Sequence, residues 1–146
     1  MALYRRILVP LDGTDVDHAI LAHVTELAHL CAAEVILLRV AHYHLRDEMV
    51  HELEDAEVQL AHTAGELSDR GLQVRTVVGR GEPVDVILEQ AEELAVDLIA
   101  MATHGHGPLS RMVYGSVAEK VRHRTDVPLL LVKATSHAAD TAADAD

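Results

Sequence analysis

Met101-Ala102-Thr103-His104-Gly105-His106-Gly107-Pro108, then Gly115-Ser116-Val117-Ala118-Glu119, then Val127-Pro128-Leu129-Leu130-Leu131-Val132, is the part of the chain whose reading decides the fold. It reads as an apolar strand ending at Ala102, a glycine-rich loop, a helix and a second apolar strand. Ser116 is expected as the helix N-cap, with Glu119 as its capping-box partner. Glycines let the backbone come close to a ligand. A strand, a glycine loop and a helix N-terminus in series point N–H groups at an anion, the usual way to hold a nucleotide's phosphates.

The same alternation extends back to the N-terminus. Arg6-Ile7-Leu8-Val9-Pro10 and Glu34-Val35-Ile36-Leu37-Leu38-Arg39-Val40 are near-continuous apolar runs, as expected of strands buried on both faces. Between them lies a helical stripe of Ile20, Val24, Leu27, Ala28 and Cys31, with Asp15 expected as its cap. A long amphipathic helix is predicted from Asp47 to Arg70, with Met49, Leu53, Ala56, Leu60, Ala64 and Leu67 on one face and Gly71 at C′. Gln73 to Val78 is the third strand, and Gly79 to Glu82 a turn into a helix with Pro83 at its first position. That helix carries Val84, Ile87, Leu88, Ala91 and Ala95; Asp97 to Met101 is the fourth strand and Val127 to Val132 the fifth.

Strands alternating with helices imply an α/β fold: a doubly wound five-stranded parallel sheet with helices on both faces and right-handed crossovers. In the order 3-2-1-4-5 the direction of winding reverses between the first and fourth strands. Ligands of such sheets bind at that reversal, outside the carboxyl ends of the strands. The loop Leu11-Asp12-Gly13-Thr14-Asp15 and the segment from Ala102 to Ser116 are therefore expected to share one crevice. The predicted domain is residues 1–133, and 134–146, rich in Ala and Asp, are expected to form a disordered acidic tail.

Composition narrows the function. The chain has 146 residues, no Trp, no Phe and three Tyr, so its core must be aliphatic and it lacks the stacking platforms of single-strand nucleic-acid binders. A formal charge of -12 with only 12 Lys and Arg argues against nucleic acid and against anionic membrane surfaces. The single Cys31 allows no internal disulfide, no apolar run approaches ~18 residues, and the N-terminus lacks the pattern of a signal peptide. A cytoplasmic protein is expected.

The residues so placed resemble the universal stress protein family. The resemblance rests on Ile7-Leu8-Val9-Pro10-Leu11-Asp12-Gly13, on Gly81-Glu82-Pro83, and on the stretch from Met101 to Val132. Nucleotide-binding members carry glycine, two residues, glycine, nine residues, then glycine with Ser or Thr. Ala102, Gly105, Gly115 and Ser116 occupy those positions, with nine residues from His106 to Tyr114 in between. The resemblance implies a sensor or regulator that binds an adenine nucleotide: ATP, or AMP or cyclic AMP. Asp12 would meet the ribose or base, and the backbone of Val40 the adenine. Gly105, Gly115 and Ser116 would hold phosphate, with Mg or Mn bridging phosphate oxygens.

Two positions depart from the pattern. Ala102 places a methyl where those relatives keep glycine, which is expected to crowd the ribose-phosphate. His106 stands where many carry a basic residue, so phosphate attraction should strengthen as pH falls towards ~6.5. The alternative reading is a dimeric interaction module with a vestigial nucleotide site. Catalysis beyond slow ATP hydrolysis is not expected, because Asp12 is the one carboxylate foreseen in the crevice and there is no GxxxxGK[ST] loop. A receiver domain would need an Asp at the end of the third strand, where Val77-Val78-Gly79-Arg80 has none. The many histidines, notably His42, His44 and His51, or His104 and His106, read as solvated rather than as a metal site. The apolar fifth strand should be an edge, and pairing of Val127 to Val132 with a second copy would give a homodimer.

Overall fold

The computed structural model describes residues 3–41, 46–104 and 114–134. Along these residues strands and helices alternate: β1 (Arg6–Leu11), α1 (Asp17–Cys31), β2 (Glu34–Ala41), α2 (Arg46–Asp69), β3 (Gln73–Arg80), α3 (Pro83–Glu93), β4 (Leu98–His104), α4 (Tyr114–Arg124) and β5 (Leu129–Ala134). The sheet has the order β3-β2-β1-β4-β5 and every pair is parallel. The doubly wound architecture read from the sequence is thus the one observed.

Side-chain alternation along the strands divides the core in two. Ile7, Val9, Leu11, Val35, Leu37 and Ala100 pack with Ile20, Val24 and Ala28 of α1 and Leu60 and Leu67 of α2. Leu8, Ile36, Leu38, Ile99 and Met101 face the other way, onto Val84 and Ile87 of α3 and Val117, Ala118 and Val121 of α4. The apolar runs carry no polar alternation because both faces of the sheet are covered.

Several boundaries differ from expectation, each for a local reason. α3 ends at Glu93, and Ala95 lies beyond it with φ 50, its N–H bonded back to the carbonyl of Glu92. Ala32 ends α1 in the same left-handed way, with φ 54. Gly71, at φ 89, closes α2 as foreseen. β3 runs on through Gly79 and Arg80, residues expected in a turn, because they pair with Val40 and Ala41 of β2. Ala134, assigned by sequence to a tail, is the last residue of β5 and is buried. Residues 135–146 lie outside the described residues.

The ladders around β1 are unequal. β1 and β2 pair over six positions, from Arg6–Glu34 to Leu11–Arg39, and β4 and β5 pair from Ile99–Leu129 to His104–Ala134. β1 and β4 pair only at Ile7–Leu98 and Leu8–Ile99. Pro10, with no N–H, cannot donate a ladder bond in the stretch where the two strands have parted. The sheet therefore opens between its two central strands towards their carboxyl ends.

Candidate functional site

Asp12 directly follows β1 at this opening and is half-buried. Its Oδ1 accepts the Thr14 N–H at 2.9 Å and the Thr14 hydroxyl, an Asx-type turn that fixes the carboxylate's orientation. The same carboxylate lies within hydrogen-bonding reach of the Asp17 carboxyl, which donates to it when protonated. Gly13, at φ 82, carries the chain out of the strand. A β-carbon there would be strained and would also strike the Arg39 guanidinium and the Gln59 amide oxygen, which are hydrogen-bonded to each other beside it.

The helix that follows is not capped as the sequence suggested. Val16 occupies the N-cap position and Asp15 does not cap the helix through its side chain. The carboxylate that organises this turn is Asp17, the first residue of α1, only 6% exposed. Its Oδ1 accepts the Asp12 N–H at 3.0 Å and its Oδ2 the Gly13 N–H at 2.8 Å. Burial pushes its pKa up to about 7; the two amides pull it down, and the Asp12 carboxylate pushes it further up. Asp12 is therefore not the lone carboxylate at the crevice. The signal for Asp17 was present in the sequence: it precedes Ile20, Val24 and Ala28 on the apolar stripe of α1, and all four are buried.

Val40 lies one residue beyond the Leu11–Arg39 pair, so its backbone stands level with Asp12, and its side chain packs on the α3–α4 face. Ala102 lies on β4 opposite Val132. It is 1% exposed and belongs to the core on the α1 side. The methyl is packed into the core on that side, which argues against the expectation that it crowds a ribose-phosphate.

α4 begins at Tyr114, so Gly115 and Ser116 lie in its first turn and Ser116 is not the N-cap. Glu119 is not its capping partner either; it pairs forward with Arg122 and with His123 at 3.3 Å. Those contacts hold the Glu119 carboxyl below its usual range, through the Arg122 hydrogen bond first. Both residues of interest nonetheless sit at the positive end of the helix. Gly105 and His106 lie outside the described residues, as do His42 and His44. Among the described residues no group of three or more His, Cys, Asp or Glu is arranged to hold a metal, and no helix is long and apolar enough to cross a membrane.

An open parallel sheet that parts at its topological switch, with a turn-fixed carboxylate on one lip and a helix N-terminus beyond the other, defines a doubly wound α/β domain, a class whose ligands bind at such a switch. The particular family follows from comparison: residues 3–133 match the model of the universal stress protein family, and the chain belongs to it. Universal stress protein MJ0577 of Methanocaldococcus jannaschii is 30% identical, over 90% of this chain and 96% of its own. The solved structure of MJ0577 superposes with a TM-score of 0.79 at 32% identity, covering 92% of this chain and 99% of the other. A universal stress protein solved in complex with cAMP has a TM-score of 0.72 at 21% identity, covering 90% and 98%. One from Archaeoglobus fulgidus in complex with dAMP has a TM-score of 0.69 at 20% identity, covering 90% and 99%.

Proposed function

We propose that this universal stress protein binds an adenine nucleotide in the opening between β1 and β4, and that it acts as a sensor or regulator in stress response rather than as a catalyst. The observation that carries the reading is the Asp12 carboxylate. One oxygen fixes its own turn, and the carboxylate stands at the edge where β1 and β4 have separated, able to accept from a hydroxyl donor when Asp17 is ionised. A ribose offers such hydroxyls. The backbone of Val40, one strand over, supplies the polar edge that adenine needs, and Ala102 contributes main chain to the wall.

Gly115 and Ser116, in the first turn of α4, take phosphate together with Gly105 and His106 of the preceding loop. Mg²⁺ enters with the phosphates, bridging their oxygens, rather than in a cage built by the protein. The relatives solved with cAMP and dAMP favour an adenine base. β5, at the edge of the sheet with Leu131 37% exposed, offers its backbone to a second copy of the chain, which gives a homodimer.

Calorimetric titration of the full chain with ATP, AMP and cAMP, with and without Mg²⁺, tests the reading. Binding of at least one of them is expected, and Gly115→Val should abolish it with the unfolding midpoint retained. If none of the three binds, the proposal fails and the interaction-module alternative takes its place. Unchanged affinity in Gly115→Val would remove the start of α4 from the site.

A further inference from the structure

We propose that Asp17 is the positioning residue of this site: it grips the two peptide units that carry Asp12, and it regulates adenosine binding by donating a hydrogen bond to the Asp12 carboxylate when it is protonated. The inference rests on the adenine-nucleotide reading above, and its test separates the two.

Asp17 Oδ1 accepts the Asp12 N–H at 3.0 Å and Oδ2 accepts the Gly13 N–H at 2.8 Å. Two oxygens meet two donors on consecutive residues. Each oxygen keeps a second lone pair, so a proton can be added without breaking either bond. The added O–H donates to the Asp12 carboxylate, with which Asp17 shares a side-chain hydrogen bond. The ionised form therefore holds the backbone under Asp12 and leaves its carboxylate open, whereas the protonated form engages that carboxylate. Thr14 fixes the Asp12 side chain relative to the same backbone.

Burial places the exchange near neutrality, because Asp17 titrates at about 7. The charged and titratable groups around it are few. Asp12 faces it directly; Asp15 and His18 share its turn and are exposed; Arg39 of β2 lies across Gly13, bonded to Gln59 of α2. β4 ends in His104, and Lys133 of β5 follows Val132, which packs onto the α1-side core, so Lys133 lies on the opposite face of the sheet. Among the described residues no cation pairs with Asp17. A sugar hydroxyl held by Asp12 competes with the Asp17 O–H for the same carboxylate, so binding is linked to loss of the Asp17 proton.

Two measurements test this on the full chain. In the ligand-free protein, amide NMR signals of Asp12 and Gly13 should shift together with a midpoint near pH 7, and the shift should vanish in Asp17→Asn. Adenosine is the second probe, since it has no phosphate and so excludes any contribution from His106. Its affinity should fall roughly ten-fold from about pH 8 to about pH 5.5 in the wild type. Asp17→Asn should bind weakly with no such slope. Both wild-type readouts stand even where Asp17→Asn does not fold. Amides that do not titrate, or adenosine binding with a flat profile, would overturn the role of Asp17 alone. Absence of adenosine binding at every pH overturns the nucleotide reading and this role with it.

Discussion

At each end of β1 an aspartate from elsewhere in the chain accepts two consecutive backbone N–H groups. At the carboxyl end, Asp17 takes those of Asp12 and Gly13, one on each oxygen. At the amino end, Asp97 takes those of Arg5 and Arg6, both on Oδ2. The surroundings are opposite. Asp97 is half-buried and lines a cleft of ≈ 720 Å³ with Arg5, Arg6, Glu34 and Arg75, where Glu34 pairs with Arg6 at 3.8 Å and Arg75 at 3.3 Å. Asp17 is buried beside a second carboxylate. Ion pairs at the amino end tie Glu34 to Arg6 and Arg75 beside Asp97. Desolvation and the Asp12 carboxylate raise the pKa of Asp17 at the carboxyl end, and that end is where the strands part. One motif, used twice, sits among opposite charges in one place and beside a like charge in the other.

The sharpest break between the two ends is in the pH dependence of stability. Burial pushes the pKa of folded Asp17 up to about 7, well above the ordinary carboxyl value of 3.8. Between those values the folded state binds the extra proton, so the Asp17 contribution is full at the acid end and is lost as pH rises towards 7. A shift of three units corresponds to about 4 kcal/mol. Urea unfolding of wild type and Asp17→Asn should show the difference between them moving in the variant's favour by a free energy of that order from about pH 4 to about pH 8. A difference independent of pH would mean that burial does not govern Asp17.

At the amino end the expected effect is smaller and of another kind. Asp97→Ala removes the acceptor for two half-exposed amides and should cost about 1–2 kcal/mol by urea unfolding. Asp97→Asn should restore most of it, because a single amide oxygen can stand where Oδ2 accepts both N–H groups. Asp17→Asn has no such rescue, since its donors meet different oxygens. Adenosine affinity should be the same in Asp97→Ala and wild type. A clear loss there would show that the two ends of β1 are coupled.

What the sequence made legible follows the same division. Apolar runs announced β1, β2, β4 and β5, but not β3, whose Gln73-Val74-Arg75-Thr76-Val77-Val78 mixes polar and apolar residues; alternation with helices gave the parallel order and the place where it reverses. The crevice was located by topology before any side chain was considered. Signals that depend on one residue in an unusual role did not come through. Ala32 and Ala95 adopt left-handed φ where glycine would have marked a helix end. Asp15 and Ser116 had the chemistry of caps, yet Val16 holds the N-cap position of α1, one residue on, and α4 already begins at Tyr114, two residues before Ser116. Asp17 is not among the residues the sequence singles out, because a charge on an apolar stripe is weak evidence until its two amide partners are seen.

Ala102 gives the smallest effect and the finest test of where the site ends and the core begins. Its residue type pointed to a methyl intruding on a sugar-phosphate, in which case Ala102→Gly would strengthen ATP binding. Its burial at 1%, in the cluster that contains Val9, Ile20 and Ala100, points to a packing role. Removing that methyl from a strand gives up packing and adds backbone freedom, at about 0.5–1 kcal/mol. Ala102→Gly should therefore lower the denaturation midpoint slightly and leave ATP affinity unchanged. Tighter ATP binding in the variant would mean that the methyl reaches the ligand after all, and that the wall of the crevice lies one residue deeper in β4 than the core contacts place it.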